Sequence, residues 1–431
     1  MSNDLVIPDY TKEAQRRAAN PRASAWVSAN AGAGKTKVLT DRVVRLLLSG
    51  TLPGRILCLT FTKAAAANMA IRVFERLGRW VTMDEESLVT ELTELEGVKP
   101  TRQQLKLART LFARAVETPG GLKIDTIHAF CERLLHLVPF EANVPARFAV
   151  LDESQTDEML AQAVKNVLAD ASNGSFPHLK DALDIISVDA AGDALTAALN
   201  AALRCKSFLH DPMGIARLRQ ELGLAGDETL ASIEQAMLEG GFKPESWPAL
   251  AQELMTGKAT DQERADSLIA AANASEPSER LKHYLSVFLK ESDGKPRAES
   301  RLVTKSVDPA LKERLLDEQG RIWKLIDKRK AIRAVERTQA LFLLAAEIHS
   351  RVEQMKMRLG ALDFQDLIDK TLALLSRGDT TWVLYKLDRG IDHVLIDEAQ
   401  DTNPQQWEIL RKITEDFTAG EGAAGSRIRT R

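Results

Sequence analysis

Residues 25–48 read AWVSANAGAGKTKVLTDRVVRLLL and pass from an apolar start through a glycine-rich turn into a helical pattern. The spacing matches a phosphate-binding loop that ends in Gly34, Lys35 and Thr36. In such a loop successive backbone N–H groups point inward, the lysine reaches the β and γ phosphates, and the hydroxyl binds magnesium. Residues Ala29, Asn30, Ala31, Gly32 and Ala33 complete the candidate cradle. Trp26 and Val27, among small residues, read as a short buried strand, and KVLTDRVVRLLL places apolar residues at helical spacing. A helix N-terminus would then lie under the phosphates. The first loop position is Ala29 in place of glycine, so a chance glycine turn is the alternative and a second nucleotide motif is needed.

That second motif is HVLIDEAQD, residues 393–401. Strand-favouring residues lead to Asp397 and Glu398 at the strand's end, where ligands bind in parallel α/β sheets. Asp397 is placed to hold magnesium, which keeps part of its hydration shell. Glu398 is placed to orient and deprotonate an attacking water. Adjacent acids at a strand end are as often a solvated turn, but with Gly34-Lys35-Thr36 they point to ATP hydrolysis.

Between these motifs the chain alternates. RILCLTFT (55–62) and GLKIDTIHAF (121–130) read as strands, and KAAAANMAIRVFERLGRW (63–80) as a helix, which predicts an α/β fold with a parallel sheet up to about residue 153. From 154 to 351 long charged amphipathic stretches predict an all-helical domain, with a polar loop in KESDGKPRAESRLVTKSVDPALKER (290–314). Residues 352–431 are expected to return to the sheet and end in a glycine-rich basic tail. The 431 residues suit two or three domains. A net charge of −3 neither supports nor excludes nucleic-acid binding. Cys58, Cys131 and Cys205 lack metal spacing and suit a reducing compartment. No apolar leader or membrane-length run is present, so a cytoplasmic location without a membrane partner is expected.

The stretches SANAGAGKT, LTFTKAAAANM, IDTIHAFCERLL, LDFQDLI and VLIDEAQDTNPQQWEIL follow the order found in UvrD-like superfamily-one DNA helicases, which this chain resembles. Within that family it is most similar to the AddA group, on TFTKAAAANM, ARAVETPGGLKIDTIHAFCERLL and FAVLDESQ. The resemblance implies a P-loop NTPase with a RecA-like lobe and a large helical insertion, using ATP and Mg2+ to move 3′ to 5′ on single-stranded and duplex DNA in double-strand break repair. It also implies a partner protein resembling AddB. Gln15 stands where such helicases read adenine; a solvated helix residue is the other reading. Gln400 would couple the γ-phosphate to DNA contacts, and Asp401 and Thr402 would shape the turn before Pro404. Thr60, Phe61, Thr62 and Lys63 resemble a motif that touches single-stranded DNA, with Phe61 either stacking on a base or completing the sheet core. Thr126 and His128 resemble a further DNA-contacting motif, with His128 a DNA or structural residue and not a catalytic base.

Asn68 falls where many relatives carry glutamate. Arg321, Lys324, Lys328, Arg329, Lys330 and Arg333 form a basic cluster whose two readings are duplex contact and a solvated helix face. No later helicase motif and no nuclease motif follows QQWEIL. The expectation is therefore a first lobe with its insertion, lacking a second lobe and a nuclease domain, holding nucleotide modestly and not unwinding DNA alone. Its exposed inter-lobe face is expected to favour aggregation. Two other readings stand: part of a UvrD- or Rep-type repair helicase, and a non-catalytic ATP- and DNA-binding module. A metabolic P-loop kinase would leave DEAQD and TFTK without a role.

Overall fold

The computed structural model describes residues 8–30, 32, 34–188, 190, 192–209, 211, 213–377, 382–383, 390–415 and 430. They form two compact units, 1–157 with 356–431, and 158–355.

The first unit is built on three parallel strands, β1 (Ile56–Thr60), β2 (Lys123–Thr126) and β5 (His393–Ile396), in the order β2-β1-β5. Leu57 lies opposite both Lys123 and Val394, so all three strands end on the same side. β1 is buried along its length, as a central parallel strand covered on both faces must be. Its alternation divides the core. Ile56 and Cys58 pack with Val43, Leu46, Met69 and Trp80, which belong to α2 (Lys35–Leu48) and α3 (Lys63–Thr82), on one face. Leu57 and Leu59 pack on the other with Phe130 and Leu134 of a helix that follows β2 directly, Ile127–Leu137. The helices Phe364–Ser376 and Pro404–Thr414 complete that second face. A short parallel pair, β3 (Ala149–Val150) with β4 (Ala361–Leu362), lies elsewhere in this unit.

The strand expected at Trp26 and Val27 does not form. Residues 24–30 carry no ladder hydrogen bonds, and Trp26 is 79 % exposed. A strand persists only where a neighbour completes its backbone pairing. At the outer edge of β5 the Val394 N–H instead donates to the carbonyl of Thr430, 3.1 Å away.

His393 is buried at that edge, with Nδ1 2.8 Å from the Thr430 hydroxyl, and burial pushes its pKa down to about 4. The unfolded chain takes up this proton near pH 6.5, ahead of the folded one. Stability should therefore rise with pH between about 4 and 6.5 and be lost as pH falls through that window, by roughly 3 kcal/mol in full. Urea unfolding across this range should show a slope that flattens in His393→Gln.

The second unit is helical among its described residues apart from one antiparallel bridge, Leu289 with Pro296. The expected loop at 290–314 is thus shorter: it holds the bridge and a single turn, Glu299–Leu302, and ends where Pro309 opens the 51-residue helix Pro309–Leu359. Pro at a first helical turn costs no hydrogen bond. Buried Glu318 ties three segments of this unit. It accepts from Tyr284 Oη (2.8 Å), Arg321 Nε (2.7 Å) and the Gly241 N–H (3.0 Å). The basic cluster is largely neutralised within the unit: Arg321 pairs with Glu318, Lys328 with Glu228, Arg329 and Arg333 with Glu234, and Lys330 with Asp327. That favours a solvated, internally paired face over duplex contact.

Candidate functional site

Because the sheet is parallel, the segments leaving β1, β2 and β5 emerge together: Phe61–Lys63, Ile127–His128 and Asp397–Gln400. The loop before α2 meets the last of these. Gly32 (φ +78°) and Gly34 (φ +88°) occupy the left-handed region, which a side chain resists, so the turn into α2 requires glycine there. A Cβ built on Gly34 would lie 3.0 Å from Gln15 Nε2, which places Gln15 of the helix Asp9–Ala18 against the loop. Ala31 and Ala33 lie outside the described residues; Asn30 is exposed, and Ala29 lines the adjoining cleft.

That cleft has a volume of about 1130 Å³ and is bordered by Trp26, Ala29, Lys35, Asp397, Glu398, Gln400 and Trp407. Trp26 and Trp407 face each other with ring centroids 6.5 Å apart. Lys35 Nζ lies 3.8 Å from Glu398 Oε2, and Gln400 donates a side-chain N–H to the same carboxylate. Asp397 is fixed to the sheet by its N–H, which donates to the Leu59 carbonyl at 2.9 Å, and its Oδ1 accepts from the Glu398 N–H at 3.1 Å. Burial and the neighbouring Glu398 charge raise the Asp397 pKa, while Lys35 opposes the rise. Two carboxylates thus face one ammonium. Such a site is short of positive charge, and a magnesium ion that keeps its waters needs only one or two protein ligands. Asp397, which borders the cleft, is one carboxylate of that kind, and among the described residues no cluster of three or more His, Cys, Asp or Glu offers a fuller cage.

On the neighbouring strand ends, Phe61 is 48 % exposed and therefore does not complete the sheet core. Lys63 is exposed beside it. Thr60 is buried, and its hydroxyl donates to the Thr62 carbonyl at 3.0 Å; Thr62 caps α3 by accepting from the Ala65 N–H. Thr126 caps the helix Ile127–Leu137 through the Ala129 N–H at 3.2 Å. His128 is half-buried with its ring edge-on to Phe364 at 5.3 Å, and burial lowers its pKa. All three threonines therefore shape backbone, while Phe61 and Lys63 are exposed or half-exposed.

Three features escaped the sequence reading. The cap of the helix Pro404–Thr414 is Asn403, in a capping box with Gln406. The spacing Asn403-x-x-Gln406 signalled it. Gln365 bonds Asp369 one turn on, and both bond Gln405, which is distant in sequence. Lys356 is buried between Asp363 (3.1 Å) and Asp366 (2.6 Å) at the start of LDFQDLI. No periodicity marks the last two.

A parallel sheet with a glycine-shaped loop facing an acidic strand end defines a nucleotide-binding α/β class, and residues 10–419 match the UvrD/REP helicase N-terminal domain family. The chain belongs to that family. Its relatives include proteins named as the A component of an ATP-dependent helicase/nuclease. That of Levilactobacillus brevis is 25% identical over 91% of this chain and 32% of its own length. That of Latilactobacillus sakei is 25% identical over 96% of this chain and 48% of its own. That of Lactobacillus acidophilus is 32% identical over 38% of this chain and 12% of its own. In the two longer alignments the chain spans 32% and 48% of the relatives' length.

Proposed function

We propose that this chain is the ATP-binding portion of an AddA-like, ATP-dependent DNA helicase of double-strand break repair, moving 3′ to 5′. The observation that carries the reading is the meeting of Lys35 with Asp397 and Glu398, drawn from opposite ends of the sequence into one cleft. In it, residues 1–153 and 352–431 form a RecA-like lobe and 154–351 a helical insertion. The folded units at 1–157 with 356–431, and 158–355, support that division.

Lys35 would neutralise the β and γ phosphates, with Gln15 beside the loop to read the base. Thr36 and Asp397 would hold magnesium, which supplies charge neutralisation of the phosphates. Glu398 would take a proton from the attacking water, and Gln400, already bonded to Glu398, would report on the γ-phosphate. Phe61 would stack on a base and Lys63 meet a phosphate, with Thr60, Thr62, Thr126 and His128 shaping that surface. An AddB-like partner fits relatives whose name marks them as one component of a helicase/nuclease. A cytoplasmic location belongs to the same reading; among the described residues no helix is long and apolar enough to cross a membrane.

Fluorescence anisotropy with a labelled single-stranded oligonucleotide tests the DNA half of this reading. Phe61→Ala should cost about 1–3 kcal/mol of binding. Lys63→Ala should weaken binding and reduce the salt slope by roughly one. Unchanged binding in both variants would mean that DNA does not meet this surface.

A further inference from the structure

We propose that the helix Phe364–Ser376 couples the DNA-facing strand end at His128 to the turn carrying Glu398, with Gln365 and Gln405 as positioning residues. This rests on the functional reading above and names the route by which its two ligands sense each other. Leu367 and Leu374 of this helix share one core with Leu134, which follows β2, and with Ile409 of Pro404–Thr414. Close-packed helices shift as bodies and do not deform continuously.

At its first turn this helix makes both contacts the route needs. Phe364 meets the edge of His128 at 5.3 Å. One residue on, Gln365 Nε2 donates to Gln405 Oε1 at 2.8 Å and to Asp369 Oδ1 at 2.9 Å, and Gln405 Nε2 donates to the same Asp369 oxygen at 3.0 Å. Gln405 is the second residue of the helix Pro404–Thr414, so these bonds fix the far end of the turn that begins at Asp397.

The turn itself has the character of a switch. Glu398 sits at φ +49°, ψ +47°, a conformation a non-glycine residue keeps only when its surroundings hold it. Its N–H donates to Asp397 Oδ1 and its carbonyl accepts from the Asp401 N–H, while Lys35 and Gln400 hold its carboxylate. A bound triphosphate claims Lys35, so one of these holds is lost when nucleotide enters. Any shift of the helix Pro404–Thr414 acts on the same turn from its other end.

The test is linkage. Affinity of the 431-residue chain for a fluorescent ATP analogue is measured without DNA and with saturating single-stranded oligothymidylate. The wild-type ratio is expected to fall in the roughly 5- to 150-fold range typical of coupled sites. Gln405 is exposed and Gln365 half-buried, so the double variant Gln365→Ala/Gln405→Ala should keep its melting temperature and each separate affinity within about twofold while the ratio falls towards one. Phe364→Leu, acting at the other contact, should lower the ratio in the same way. A ratio unchanged in both variants would overturn the route and leave the functional reading standing. A wild-type ratio of one, with both ligands bound, would also overturn it. Failure to bind either ligand would overturn the functional reading and the route together.

Discussion

Glu398→Gln is expected to slow ATP hydrolysis by about 10²–10⁴-fold, the usual contribution of a positioned general base, while nucleotide binding is kept or tightened. The geometry separates the two effects. Glutamine preserves the shape of the turn and an oxygen for Gln400, so the cleft should remain intact. The carboxylate that pairs with Lys35 at 3.8 Å is gone, which frees the ammonium for phosphate. Burial chiefly, and the Glu398 charge after it, raise the Asp397 pKa, and the variant removes the second of these causes. Phosphate release measured beside an equilibrium nucleotide titration resolves both. Turnover within tenfold of wild type would place the base elsewhere.

Glu318→Ala is expected to destabilise the chain by about 3–5 kcal/mol, the range found when one partner of a buried charged pair is deleted. Glu318 is 2 % exposed and receives Tyr284, Arg321 and the Gly241 backbone. Its removal strands a buried phenol and a backbone N–H and leaves the guanidinium without its carboxylate. Glu318→Gln, which keeps an acceptor, should cost less. Urea unfolding followed by circular dichroism measures both, and a loss under 1 kcal/mol in the alanine variant would mean that the surrounding helices hold without this knot.

The parts of the fold that were legible are those where one local pattern decides the outcome. ILCLT and HVLI are short apolar runs bounded by turns, and both form buried parallel strands. The acidic pair at the end of HVLI had to lie near any loop at the sheet's carboxyl ends, and Lys35 lies there. Trp26 and Val27 share the same local signature, yet a strand also needs a free sheet edge, which no pattern in the strand itself reports. The basic run from Arg321 to Arg333 was ambiguous for a similar reason. Its partners Glu228 and Glu234 lie far off in sequence, so neutralisation was visible only after folding. Gly320 weakens any expectation of one unbroken helix there, but packing of Leu315, Ile322 and Ile326 outweighs the modest cost of a glycine. At the site, the caps by Thr62 and Thr126 were hidden because a threonine before a helix serves a backbone and a ligand equally well.

We propose that the cleft beside Lys35 is an ATP site. Equilibrium binding of ATP to the 431-residue chain, with and without Mg2+, beside Lys35→Ala, tests it most directly. Saturable, magnesium-dependent binding is expected, weakened by at least about tenfold in the variant, since a charged hydrogen bond contributes roughly 1.5–3 kcal/mol. Absent binding, or binding indifferent to Lys35, would contradict it.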